Sequence, residues 1–472
     1  MKSNSDNFFC SFSLIYYKIQ YTKEKNMKLP SKKRSLGQTF LYSSASAGLN
    51  ILSITVSTWI LYFYAPPADS GRTIYLPVAL VGVLLTIVGL WDAFIDPFIG
   101  HWSDNLKSKW GRRKPFLLFG APVVAIAVVL IWLPPQNGNT VQNALYFIFV
   151  TLLFFTSFSL IGIPYDATLP EMAPESKDRV KLSFWKNIFG ILGVLIGSLA
   201  AAPLFDSIGP VAMGMVVGLV AIITIWISLL GVKENKQYIQ KPLPVWVGIK
   251  TTLQNKQFLL VFFSTLFIHI TYQILLANLP YFVTLVMKST EGEVAIFQGI
   301  LILSMAATGP LWAAWNQRKS QKELLNIAMI AFLVVLSFGF FIGYIPGIPL
   351  LVQGLVFMAL CGASLGGYLI IIYALMGNVV DYDQLISKQR REAIYYGSFS
   401  LALGVGIAIG TLILPQILNL GGFTQDNPMG VRLAFPVMAV FVLCGFLIFR
   451  GYKLGDTPKE TRKNMQLHSN KR

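Results

Sequence analysis

Charge is scarce in this chain. Of 472 residues only 12% are Asp, Glu, Lys or Arg while 54% are hydrophobic, a balance that a soluble domain of this length does not normally sustain. Cysteine is scarcer still, and Cys10, Cys361 and Cys444 are spaced for neither a disulfide framework nor a metal knuckle. No phosphate-binding P-loop, paired His and Cys metal site or nucleophile elbow occurs, so an ATP-driven pump and a membrane hydrolase are both poorly supported, and no cofactor or resident metal is expected. A cleavable leader is not evident either: the run 8-FFCSFSLIYY-17 is too short to span a bilayer and lacks a charged region in front. Residues 1 to 26 are expected to be a dispensable extension ahead of the basic start at Met27.

What the chain has in abundance is long apolar runs. A spanning helix needs about 20 apolar residues, and about twelve segments qualify, near 39 to 64, 74 to 101, 116 to 134, 141 to 168, 183 to 204, 209 to 232, 259 to 287, 294 to 315, 324 to 344, 350 to 376, 394 to 418 and 430 to 451. Lys and Arg exceed Asp and Glu by 38 to 21, but the excess falls in alternate loops. One side carries Lys28 to Arg34, Lys107 to Lys114, Lys177 to Lys181, Lys233 to Lys256, Arg318 to Lys322, Lys388 to Arg391 and the tail, whereas the other carries only Arg72, Lys288 and Arg432. That bias describes topology rather than nucleic-acid binding and puts both termini in the cytoplasm.

The organisation follows: a cytoplasmic segment over 1–38, six spans over 39–232, a central cytoplasmic loop over 233–258, six spans over 259–451 and a cytoplasmic tail over 452–472. Within the central loop, 245–254 has the pattern of an amphipathic helix lying on the inner leaflet. The two halves echo each other weakly, with an acidic cluster, a basic residue and an aromatic helix start after both the fourth and the tenth spans. Six plus six spans in parallel pseudo-repeats is the major facilitator architecture, which rocks around a site near mid-membrane.

Asp92 and Asp96 lie inside the second span. If Asp104 marks its cytoplasmic end, they stand about 18 Å and about 12 Å up a helix that rises 1.5 Å per residue, in a core roughly 30 Å thick. One turn apart, they share a face that cannot point to lipid. Their closeness disfavours joint ionisation, so the pair holds a proton or recruits a hard cation such as sodium. The competing reading is structural pairing with a base, for which Lys186 is the one obvious candidate inside a span. Pro97 follows at once and loosens the backbone there. Beyond it, 100-GHWSDNLKSKWGRRKP-115 reads either as a cytoplasmic gate, with Asp104 and Arg112 or Arg113 bonding neighbouring helix ends, or as a basic cluster that sets topology.

The stretch 91-WDAFIDP-97, the loop ending 110-WGRRKP-115, the helix end 164-PYDATLPE-171 with Arg179 following, and 381-DYD-383 followed by 390-RRE-392 and 395-YYG-397 together resemble the glycoside-pentoside-hexuronide cation symporters, the melibiose permease group of the major facilitators. The similarity runs from about residue 36 to 455. It implies cation binding by Asp92 and Asp96, with Ser159 as a third ligand. It also implies sugar contacts at Asn50, Gly162 and Lys186, where the melibiose permease pattern has Asp, Asp and Arg. To the gate it adds Glu171, Arg179, Asp381, Asp383, Arg391 and Glu392. Ile95 stands where that pattern has Asn, and Gly404 where it has Lys. Both departures weaken the case for sodium over the proton and for galactoside recognition. Asp166, one turn past Gly162, either supplies the missing carboxylate or caps a helix end.

In the seventh span, 269-HITYQ-273 puts His269, Tyr272 and Gln273 on one polar, aromatic face, which suits a sugar as well as interhelical hydrogen bonding. The glycines of 362-GASLGG-367 and 404-GVGIAIG-410 read as close helix packing. The chain is thus expected to be an all-α membrane protein of twelve transmembrane helices in two six-helix bundles. Its expected role is monomeric symport of a sugar or glycoside with a proton or sodium, in a bacterial-type inner membrane. A lysolipid or other amphiphile carrier of the same fold, and a non-transporting membrane sensor, are the alternatives.

Overall fold

The computed structural model describes residues 35–173, 176–234, 252–387, 392–456 and 460–461. Among them, 12 helices are long and apolar enough to cross a membrane. The first six are α1 (Leu36–Tyr64), α2 (Val78–Asn105), α3 (Lys114–Ile131), α4 (Val141–Met172), α5 (Ser176–Ser207) and α6 (Pro210–Gly231). The second six are α7 (Lys256–Tyr281), α8 (Val294–Trp315), α9 (Gln321–Gly339), α10 (Leu350–Ser387), α11 (Glu392–Gly421) and α12 (Met429–Phe449). No strand occurs among the described residues. Residues 1–34, most of the central loop with its proposed amphipathic segment, and most of the tail lie outside the described residues.

Helix starts follow the chemistry of orphan backbone donors. The side chain of Ser35 accepts from the backbone N–H of Gln38, Thr140 from Asn143, Asn255 from Gln257 and Phe258, and Ser320 from Glu323. Two helices run past the apolar stretches that mark them: α4 continues to Met172 and α10 to Ser387. Nothing in 378-NVVDYDQLIS-387 breaks a helix, so Asp381 and Asp383 ride on a helical extension beyond the apolar run.

The two halves pack alike. α1 lies against α5 and α6 as α7 lies against α11 and α12, α3 joins α4 and α6 as α9 joins α10 and α12, and α2 pairs with α4 as α8 pairs with α10. Small residues allow these approaches. A side chain at Gly193 would strike the Ala47 carbonyl of α1, and one at Gly362 the Leu301 carbonyl of α8. Between the halves, α2 meets α11, α5 meets α8 and α1 meets α7. The ends of the described chain share one side of the molecule, because the number of crossings is even.

At the far side, opposite those ends, the halves are fastened together. Tyr281 Oη donates to the carbonyls of Leu61 (3.2 Å) and Ala65 (2.7 Å). Gln298 Nε2 donates to Thr58 Oγ1 at 2.9 Å, and the Asp206 carboxylate accepts from the backbone N–H of Gly292 at 3.2 Å. Arg72 binds Glu291 through Nε at 2.5 Å and through Nη2, and Tyr62 Oη donates to the same carboxylate at 2.9 Å. The Arg72 guanidinium also lies 4.7 Å from the centre of the Phe205 ring. Gly82 and Gly89 of α2 press against Pro415 and Ala408 of α11. In the other half of the membrane, an added Cβ at Gly162 of α4 or Gly404 of α11 would meet open space.

Candidate functional site

The second span carries its two acids where it can least leave them unpartnered. Asp92 lies at the middle of α2, half-buried, and Asp96 stands one turn nearer the end where the chain's termini lie. Ser159 of α4 is 6% exposed and its Oγ donates to Asp92 Oδ1 at 2.9 Å. Asp96 Oδ1 is buried without a hydrogen-bond partner. An acidic oxygen shut away from water with no donor is costly unless a proton or cation completes it. Pro97 removes the N–H that the Ala93 carbonyl would otherwise receive, which leaves an uncommitted backbone acceptor between the two acids.

The structure therefore brings Asp92, Asp96 and Ser159 together. Lys186 is elsewhere: its Nζ contacts Asp166 Oδ1 at 2.6 Å and lies 5.2 Å from the centre of the Tyr165 ring. Asp166 is within α4, more than a turn before its end, and its side chain is 64% exposed. Along α4, Ser159, Gly162 and Asp166 follow one another on one face, so open space at Gly162 separates the acid pair from the Lys186–Asp166 pair. Asn50 on α1 donates through Nδ2 to the Ser46 carbonyl at 2.8 Å and faces Gly190 of α5. On α7, Gln273 is 5% exposed, Tyr272 is half-buried, and the His269 and Tyr272 rings stand 6.4 Å apart.

The basic motif after α2 forms a compact ion-pair cluster. Arg112 Nη2 contacts Glu171 Oε1 at 2.6 Å, while Arg113 contacts Asp104 at 2.6 Å and Glu171 at 3.0 Å. Arg113 also donates to the Ala167 carbonyl. These bonds tie the ends of α2, α3 and α4. Arg179 Nε donates to the Ala173 carbonyl at 3.2 Å, and Asp383 Oδ2 accepts from Ser387 Oγ at 3.4 Å. Asp381 lies on the same extension of α10. Arg391 lies outside the described residues, as does the side chain of Glu392, which opens α11.

Sequence reasoning passed over three positions. Glu234, just past α6, accepts backbone N–H bonds from Arg112 (2.6 Å), Arg113 (2.9 Å) and Lys114 (2.9 Å). Gly111 permits this approach, since its φ is +114° and a Cβ there would collide with the Glu234 carboxylate. Arg72 is visible in the sequence as one of three basic residues on the side poor in Lys and Arg, but Glu291 stands beside Lys288 and Glu293, and nothing in its neighbourhood marks Arg72 as its partner.

The family model described as MFS/sugar transport protein matches residues 41–456. The chain belongs to that family. This MFS/sugar transport protein is accordingly a multi-pass membrane transporter and not an enzyme. It is 24% identical over 432 residues to the glucuronide carrier protein homolog of Escherichia coli (strain K12), covering 88% of this chain and 92% of that one. It is 23% identical over 447 residues to the sodium-dependent lysophosphatidylcholine symporter 1 of Gallus gallus, covering 81% of each. Its fold is similar to that of the nucleoside transporter NupG, with a TM-score of 0.63 at 14% identity, covering 89% of this chain and 99% of that one.

Proposed function

We propose that this protein is a secondary active symporter that couples a proton or sodium gradient to the movement of a sugar or glycoside by alternating access. The observation that carries the reading is the α2–α4 constellation: Ser159 bonded to Asp92, with a buried, partnerless Asp96 oxygen one turn away. A proton or sodium ion held there offsets one of the two carboxylate charges, relieves the repulsion between Asp92 and Asp96, and fixes α2 against α4. Asn50, Asp166, Lys186, Tyr272 and Gln273 are the residues assigned to the solute, whose hydroxyls suit these donors and acceptors and whose ring faces suit Tyr272. Coupling arises because ion and solute each favour the same arrangement of the two bundles.

On this reading the far side is extracellular and closed, both termini are cytoplasmic, and the protein works as a monomer in a bacterial-type inner membrane. The Asp104, Arg112, Arg113, Glu171, Arg179, Asp381, Asp383, Arg391 and Glu392 set belongs to the cytoplasmic gate, which re-forms across the bundles when the far side opens. The test is uptake into proteoliposomes of a panel of glucuronides, pentosides and hexosides, with imposed sodium or proton gradients. Asp92→Asn and Asp96→Asn abolish gradient-driven uptake; uptake that survives both substitutions removes the coupling assignment. Uptake of lysophosphatidylcholine in place of every sugar moves the substrate to the amphiphile class.

A further inference from the structure

Trp91 stands immediately before Asp92, at the middle of a 28-residue helix, and is 40% exposed. Tryptophans of spanning helices belong at the membrane–water interfaces, where the indole N–H finds a partner. At mid-depth it has no water to bond. Here Trp91 Nε1 bonds Thr156 Oγ1 of α4 at 3.0 Å. Thr156 and Ser159, three residues apart, lie on nearly the same face of α4, whereas Trp91 and Asp92, being consecutive, point about 100° apart around α2. Two hydrogen bonds with that angular offset fix both the separation of the helices and the rotation of α2 about its own axis. Pro97 leaves the Ala93–Pro97 turn short of a backbone bond, so the helix does less to hold that rotation by itself.

From this geometry we infer that Trp91 and Thr156 are positioning residues of the ion site: they set the rotation at which Ser159 reaches Asp92. The inference rests on the coupling role proposed for Asp92 and Asp96. Neither residue touches the ion, so removing their bond weakens ion binding without removing a ligand. Groups bonded directly to a metal ligand change affinity by about tenfold or more, and a bond between the residues beside two such ligands is assigned the low end of that range. Trp91→Phe and Thr156→Val each raise the half-saturating ion concentration by about that factor, the double variant is no worse than either single one, and Thr156→Ser restores the original value.

The measurement is the protonated-carboxyl infrared band of the purified full-length protein, followed across a pH series and then during titration with sodium chloride against choline chloride. Thr156→Val is nearly isosteric and Thr156→Ser keeps the hydroxyl, so a folding defect separates from a loss of positioning. An altered midpoint in both single variants, with rescue by serine, supports the inference. If Asp92→Asn and Asp96→Asn remove the band and the ion response while Trp91→Phe and Thr156→Val keep the original midpoint, the positioning inference is wrong and the coupling site stands. If the Asp variants leave the response unchanged, the coupling reading falls and takes this inference with it.

Discussion

Arg72, in the loop after α1, holds the carboxylate of Glu291, in the turn before α8, through two nitrogens, and so one ion pair joins the first bundle to the second. The pair is reinforced from one side by the Tyr62 hydroxyl and from the other by the Phe205 ring. Opening the far side must break the bonds of Arg72 and Tyr62 to Glu291, whereas the contact of Arg72 with Phe205 lies within the first bundle. With Arg72 32% and Glu291 11% exposed, the contact is only partly screened by solvent. Arg72→Ala or Glu291→Gln is therefore expected to move the population toward the arrangement open at the far side by about tenfold, equivalent to about 1.4 kcal/mol. Labelling by a membrane-impermeant maleimide of a single cysteine at Thr58, buried where α1 meets Gln298 of α8, in a chain cleared of Cys10, Cys361 and Cys444, reads the change, and unchanged labelling refutes the lock.

Ser159 contributes one hydroxyl to Asp92. Ser159→Ala keeps the fold, because the side chain is small and Ala suits a helix, but it leaves Asp92 with one donor fewer. Expected is a loss of apparent cation affinity of about tenfold with maximal uptake retained at saturating cation. Ser159→Thr, which keeps the hydroxyl, recovers affinity. A fall in maximal rate with unchanged cation dependence contradicts a ligand role.

Lys186 and Asp166 make an ion pair that contributes little to stability, since the Asp166 side chain is 64% exposed and such pairs are worth below about 1 kcal/mol. Lys186→Met or Asp166→Asn should accordingly leave the thermal midpoint within error. If these residues hold solute, the same substitutions raise the KM for uptake by more than about tenfold without changing the cation dependence. A matched loss of stability and uptake marks the pair as structural.

The sequence made the architecture legible because hydropathy and basic-loop asymmetry are one-dimensional signals: the spans, and two acids where lipid tolerates none, stand out without any partner being known. Pairings are different. Lys186 was the one visible base in a span, yet what decides its partner is the crossing of α4 and α5, which sets it beside Asp166 and away from Asp92. The bond between Trp91 and Thr156 depends on the relative rotation of two helices, and periodicity in either alone does not encode it. Arg72 and Glu291 lie 219 residues apart, and only the packing of α1 on α7 and α5 on α8 brings them together.

Glu234 shows what such long-range contact does for a loop. Its carboxylate sits on three successive backbone N–H groups at the start of α3, which the helix itself leaves without partners and which carry the positive end of the helix dipole. The same loop supplies Arg112 and Arg113 to Glu171 and Asp104, so the anchor at its backbone holds the side-chain cluster in register. Glu234→Ala is expected to cost about 1 kcal/mol, the usual worth of an N-terminal cap, and to lower the thermal midpoint. Glu234→Gln, which keeps an acceptor but loses the charge, falls between. A midpoint equal to that of the unmodified chain would refute the anchoring role.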